Sequence, residues 1–218
     1  AEVYTRKAIE LKPDFAEAHC NLGSIFKDLD KLEEAESSIR NAIEINPEFI
    51  NAYLNLAIIL IALGKVEEAE LSLRKAIKLK PDLPEANYNI GNIMYDLGKV
   101  SDALKYYSSA SKYSPDNIFY FINAYLSFSR IMESNSQIDL ERSEFKKAIN
   151  KLKNKDKMYY QNPKGFNSSI FYLAYQNRAD DRLILEDFAD ALSTRKGVIS
   201  NGFSREKYLI NSVKIHII

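Results

Sequence analysis

The sequence predicts an all-α solenoid of stacked helix pairs, and three observations support this fold class. Four prolines recur at one interval of 34 residues, at positions 13, 47, 81 and 115. Small residues keep the same step, as in the set Ala8, Ala42, Ala76, Ala110 and the set Ala35, Ala69, Ala103. Between these markers, apolar residues recur at helical spacing. Repeats of this length are single helical hairpins that bury a core only by stacking on their neighbours.

Each repeat is expected to contain helix A, a turn, helix B and a loop that ends at the proline. Residues 1–11 match helix B alone, so we expect the chain to open inside a repeat of a longer protein. Gly23 and Gly91 lie on helix A where the neighbouring helix is expected to approach closely. Three residues that tolerate positive φ stand at the predicted turn after helix A: Asp30, Gly64 and Gly98.

The domain organisation follows from where this pattern weakens. The repeat array is predicted over 1–158, with three full repeats in 16–117 and an irregular capping repeat over 118–155. In this capping repeat, helix A is predicted over 118–133 and an extra loop over 133–137. A connector with two further helices is predicted over 159–212. Residues 213–218 are mostly β-branched and predict the first strand of a further domain, whose partner strands are expected downstream of this chain.

Composition excludes some classes of function. Lys plus Arg and Asp plus Glu both number 30, so no bulk charge recruits nucleic acid or an anionic membrane. The longest apolar run, Leu56 to Leu63, is far shorter than the roughly 20 residues that span a bilayer. The single cysteine, Cys20, excludes an internal disulfide and favours a reducing compartment, so we expect a cytoplasmic protein.

The period, the small residues at fixed offsets and the closing proline resemble the tetratricopeptide repeat. This resemblance implies a right-handed superhelix of helix hairpins, in which the A helices line an inner groove. Such arrays bind other proteins, so the resemblance implies a protein or extended peptide as the partner in the groove.

An asparagine column is the sharpest candidate site. Asn21, Asn55, Asn89 and Asn123 keep the repeat step, and all four fall on predicted A helices. Asparagine amides can hold an extended peptide by its main-chain groups. The alternative is structural, because the same amides could bond a neighbouring helix.

Further groove positions are expected beside the column. The second repeat contributes Leu54, Ile58 and Ile61, and the third contributes Tyr88, Asn92 and Tyr95. An exposed strip of this kind suits a partner that carries hydrophobic side chains. The alternative is a tightly wound superhelix that buries these residues against itself.

The sequence contains few candidate catalytic residues. His19 and His216 are the only histidines, so no metal set can be built from them. His19 and Cys20 are helix neighbours that point in different directions. We therefore expect no catalytic residue, metal site or cofactor in this chain. RNA binding by a similar array would need a basic groove, which acidic residues on the A helices argue against: Glu17, Asp28, Glu85 and Asp96.

The end of the chain resembles the connector of SPINDLY-like O-linked N-acetylglucosamine transferases. The resemblance rests on Ile170-Phe-Tyr-Leu-Ala-Tyr-Gln-Asn-Arg-Ala-Asp-Asp-Arg182, a following acidic helix, and Lys214-Ile-His-Ile-Ile218. Many relatives carry histidine where this chain has Gln176, so no role of that histidine is carried over. The resemblance implies that the chain is the acceptor-protein-binding arm of a nucleotide-sugar-dependent glycosyltransferase, joined to a downstream catalytic domain. A stand-alone scaffold, or the arm of an unrelated enzyme, is the alternative.

Overall fold

The computed structural model describes residues 1–126, 134–154 and 180–193, and its contacts divide the chain into two units, Ala1–Tyr113 and Ser114–Ile218. The predicted strand over 213–218 and most of the predicted connector lie outside the described residues.

The first unit is built of α-helices joined by short turns. Its helices are α1 (Glu2–Leu11), α2 (Ala16–Asp28), α3 (Leu32–Ile45), α4 (Ile50–Ala62), α5 (Val66–Leu79), α6 (Pro84–Asp96) and α7 (Val100–Tyr113). Each of the pairs α2/α3, α4/α5 and α6/α7 is a hairpin, and each hairpin contacts the next through α3/α4 or α5/α6. The predicted helix pairs are therefore confirmed, with α1 as the isolated B helix.

The turns inside the hairpins confirm the expected backbone conformation. Asp30, Gly64 and Gly98 have φ values of 59°, 74° and 75°. Two of these positions carry glycine because a Cβ is unfavourable at positive φ, and aspartate is among the residues that tolerate it best. Helix α6 begins at Pro84, whose fixed φ suits the first turn of a helix.

Small residues allow the paired helices to approach closely. The B-helix alanines are fully buried: Ala35, Ala42, Ala69, Ala76, Ala103 and Ala110. A Cβ added to Gly23 would lie 2.6 Å from the side chain of Ile39, and one added to Gly91 would lie 2.6 Å from the ring of Tyr107. The second repeat places Ala57 and Leu73 at the equivalent positions. A larger residue on one helix is thus matched by a smaller one on the other.

The second unit has its own core within the described residues. Its described helices are α8 (Ile118–Tyr125), α9 (Asn135–Lys153) and α10 (Asp181–Ser193). Apolar residues of all three pack together, including Phe121, Phe145 and Phe188. Buried Arg142 of α9 pairs with Asp180 and Asp181, which ties α9 to the start of α10.

The fourth repeat differs from its sequence-based prediction. Its helix A was expected to run to Glu133, but α8 ends at Tyr125. Its extra loop was expected over 133–137, but Ser134 caps α9 by accepting a hydrogen bond from the Gln137 backbone N–H at 3.2 Å. A serine N-cap satisfies a free backbone donor, so the helix begins earlier than the repeat pattern indicates.

No helix within the described ranges combines the length and apolar composition that a membrane crossing requires.

Candidate functional site

The candidate site is the exposed side of α2, α4 and α6, which we call the A face. Side chains at equivalent positions of these helices form rows, because the sequence repeats every 34 residues and a helix turns about 100° per residue. Four rows lie on this side: Glu17, Asn51, Glu85; Asn21, Asn55, Asn89; Ser24, Ile58, Asn92; and Asp28, Ala62, Asp96.

The second of these rows, the Asn row, contains three of the four predicted asparagines. Asn21 is exposed, and Asn55 and Asn89 are half-buried. Within the described part of the chain, neither Asn21 nor Asn89 makes a side-chain hydrogen bond, which leaves both amides open to a ligand.

Asn55 also has a structural role. Its Nδ2 group donates to Ser24 Oγ at 3.3 Å and lies 3.4 Å from Cys20 Sγ, and both partners belong to α2. This amide therefore links two consecutive repeats. The sequence left open a structural role for every asparagine of the column. Asn55 has that role, because it bonds the neighbouring helix.

The fourth asparagine is placed differently. Asn123 lies on α8 in the second unit, is 5% exposed, and donates from Nδ2 to the backbone carbonyl of Phe119 at 2.8 Å. An amide that is buried and bonded within its own helix does not present itself to a peptide. We therefore correct the predicted column to Asn21, Asn55 and Asn89.

The predicted apolar positions are exposed mainly on α4. Ile58 and Ile61 are 42% and 40% exposed, and Leu54 is half-buried beside them. Tyr95, by contrast, is 8% exposed, so the alternative of a buried side chain holds at that position. The exposed apolar part of the A face is therefore smaller than predicted.

The third repeat contributes polar and aromatic groups that contact α7. Asn92 Oδ1 accepts a hydrogen bond from the Tyr107 hydroxyl at 2.9 Å. Tyr88 is half-buried, and the centre of its ring lies 5.6 Å from that of Tyr107. Both predicted residues are held in place by the same buried tyrosine, which the sequence did not identify as their partner.

Cys20 and His19 have structural roles in the packing of the repeats. Burial raises the pKa of the Cys20 thiol, against the opposing effect of the Asn55 hydrogen bond, so the thiol stays protonated and unreactive. The His19 ring lies 2.9 Å from the Pro13 carbonyl oxygen through Nε2, and Tyr53 of the next repeat donates to the equivalent Pro47 carbonyl at 3.0 Å. No cluster of metal-binding side chains occurs among the residues that the structure describes, and His216 lies outside them.

The stacked hairpins and the regular rows of the A face define the first unit as a helical repeat module. Models of the tetratricopeptide repeat match residues 16–49, 39–70 and 84–117, and a related model described as TPR repeat matches 58–98. Together these matches cover residues 16–117, so this part of the chain is similar to the tetratricopeptide repeat over three consecutive repeats.

Solved structures with this fold include MamA and YrrB. A crystal structure of MamA is 22% identical, covers 67% of this chain and 84% of its own, and superposes with a TM-score of 0.57. YrrB, described as a TPR protein with an unusual peptide-binding site, is 18% identical. The match covers 88% of this chain and 93% of YrrB, with a TM-score of 0.59. At these identities the likeness extends to the fold alone. No curated protein matches the sequence.

Proposed function

We propose that the chain is a protein–protein interaction module whose A face binds an extended segment of a partner protein. The observation that carries this proposal is the Asn row, which presents amides at the same position of three consecutive repeats. The similar fold of YrrB, a TPR protein with an unusual peptide-binding site, supports the proposal.

The chemistry of the Asn row suits main-chain recognition. An asparagine amide has both a donor and an acceptor, so one side chain can pair with the N–H and C=O groups of an extended peptide. Each hydrogen bond contributes about 0.5–1.5 kcal/mol net, so the row alone gives only modest affinity. Contact with the exposed Ile58 and Ile61 supplies the apolar burial that stable binding requires.

The test is selection of random displayed peptides on the immobilised protein, followed by affinity measurement with the variant Asn21→Ala/Asn89→Ala. Loss of at least one hydrogen bond per amide should weaken binding by about 5-fold to 150-fold. The melting temperature should stay nearly unchanged, because neither amide has an internal partner in the described residues. Asn41→Ala is the matched control, since Asn41 is exposed on α3, away from the A face. Equal weakening by both variants would contradict the proposal.

A finer proposal is that the module presents acceptor proteins to a glycosyltransferase domain of the same protein, in the cytoplasm. Its support is the resemblance of the stretch from Ile170 to Ile218 to the connector of SPINDLY-like enzymes, together with the single cysteine. The alternative remains a stand-alone scaffold or the arm of an unrelated enzyme.

The finer proposal is tested with the full-length gene product. Incubation with UDP-N-acetylglucosamine and protein fractions should transfer the sugar to Ser or Thr side chains, and Asn21→Ala/Asn89→Ala should reduce transfer to protein acceptors. A full-length sequence that ends without a nucleotide-sugar domain would leave the scaffold alternative.

A further inference from the structure

Residues 56–62 of helix α4 are apolar on both sides of the helix, which is unusual at a protein surface. Its buried side contains Leu56, Ile59 and Leu60, and its other side exposes Ile58 and Ile61. A surface helix normally turns charged or polar residues outward, and a helical segment that is apolar all round is normally covered. Helix α4 has no charged residue at all. Something outside the first unit's own core is therefore expected to cover Ile58 and Ile61.

Among α2, α4 and α6, large apolar side chains are exposed only on α4. The positions equivalent to Ile58 are Ser24 on α2 and Asn92 on α6, which are polar. The neighbouring position Ala62 is exposed and also uncharged, whereas its equivalents are Asp28 and Asp96. The exposed side chains Ile58, Ile61 and Ala62 thus form one patch, the central patch, with polar repeats on either side.

Both flanking helices are acidic. Exposed carboxylates lie on α2 at Glu17 and Asp28 and on α6 at Glu85 and Asp96. The single Lys or Arg among α2, α4 and α6 is Lys27, whose ammonium group already lies 3.4 Å from Asp28. The A face therefore presents an apolar centre between two negative margins, with a net charge of −3 from one basic and four acidic residues on these helices.

We propose, on the basis of the proposed function, that the partner segment carries a bulky aliphatic side chain flanked on both sides by Lys or Arg. The aliphatic side chain packs on the central patch, and the cations pair with Glu17 and Glu85. Packed helices lie about 8–10 Å apart, and Glu17 and Glu85 occupy the row of Asn51, which lies about 10 Å along the helix before Ile58. An extended chain advances about 3.3 Å per residue, so each cation stands about four residues from the aliphatic anchor. Acidic segments and free C-terminal carboxylates are repelled by the same margins.

The apolar part of this proposal is tested on peptides recovered by panning. Each is compared with versions in which the aliphatic residue becomes Ser or the cations become Glu. We expect both changes to weaken binding by about tenfold or more, as for other interface anchors. Ile58→Ser/Ile61→Ser should have a similar effect on the protein side. The matched control is Leu71→Ser, because Leu71 is 67% exposed on α5 of the same repeat.

The charged part is tested with Glu17→Lys/Glu85→Lys against the control Glu67→Lys, whose carboxylate is exposed on α5. The first variant should bind the cationic peptides more weakly than the unmodified protein does. Added salt should also weaken the binding of these peptides to the unmodified protein.

The outcomes separate this inference from the proposed function. Selected peptides that depend on Asn21 and Asn89 but show no aliphatic or cationic preference would overturn the inference alone. Failure to recover any peptide would contradict both proposals. Self-association that Ile58→Ser/Ile61→Ser abolishes would show that a second copy of the chain covers the patch, and would overturn the inference.

Discussion

The contact between Gly91 and Tyr107 gives the sharpest test of helix packing in the repeats. In Gly91→Ala, the new Cβ would lie 2.6 Å from two ring carbons of Tyr107, whereas carbon atoms pack at about 3.5–4.0 Å. The ring must therefore move by about 1 Å. It has little room to do so, because Tyr107 is 3% exposed and its hydroxyl is bonded to Asn92.

The expected change in the free energy of unfolding of Gly91→Ala is the difference between two opposing effects. Overpacking of this kind costs about 2–3 kcal/mol, and replacing a mid-helix glycine by alanine returns about 1 kcal/mol of helix propensity. Gly91→Ala should therefore lower the free energy of unfolding by about 1–2 kcal/mol. Urea unfolding followed by circular dichroism measures this change directly.

The second repeat supplies the compensating change. Its equivalent pair is Ala57 and Leu73, so Gly91→Ala/Tyr107→Leu rebuilds a combination that the chain already uses. The double variant should be more stable than the sum of the single variants predicts, by about 1 kcal/mol or more. Additive single effects, or a stability of Gly91→Ala equal to that of the unmodified protein, would refute the packing argument.

Two further predictions concern the same unit. Ala76→Leu should lower the free energy of unfolding by about 1–3 kcal/mol in urea titrations, because Ala76 is fully buried between packed helices; unchanged stability would mean that this face has free space. Burial acts to raise the pKa of Glu36, but hydrogen bonds from Lys65 and Arg40 outweigh it and hold the pKa below the ordinary value of 4.5. The carboxylate therefore contributes stability above pH 4.5 that is lost as the pH falls through the lowered pKa, so Glu36→Gln should flatten the acid limb of a stability–pH curve. An unchanged acid limb would contradict this assignment.

The sequence predicted the first unit well because its signals are local and repeated. The turn residues Asp30, Gly64 and Gly98 and the buried alanines act within one hairpin or between adjacent ones. Each repeat meets nearly the same neighbours, so one packing rule applies three times. Even the compensation between Gly91 and Tyr107 is visible in the sequence once the repeats are aligned.

The candidate site was predictable only in part. Helical spacing identified the exposed Ile58 and Ile61, but spacing does not show which neighbour an amide bonds. The hydrogen bond from Asn55 to Ser24 and the burial of Asn123 both depend on three-dimensional contacts. The prediction was also wrong in the fourth repeat. The 34-residue period weakens there, so the predicted helix over 118–133 is longer than α8, which ends at Tyr125.

The most direct test of the account is nuclear magnetic resonance of the side-chain amides during titration with a selected peptide. We predict that the signals of Asn21, Asn55 and Asn89 shift together, and that the dissociation constant fitted to these shifts equals the one from the affinity measurements. The signal of Asn41 should stay fixed. Shifts confined to α3, α5 and α7, with the Asn row unchanged, would contradict the claim that the A face is the binding surface.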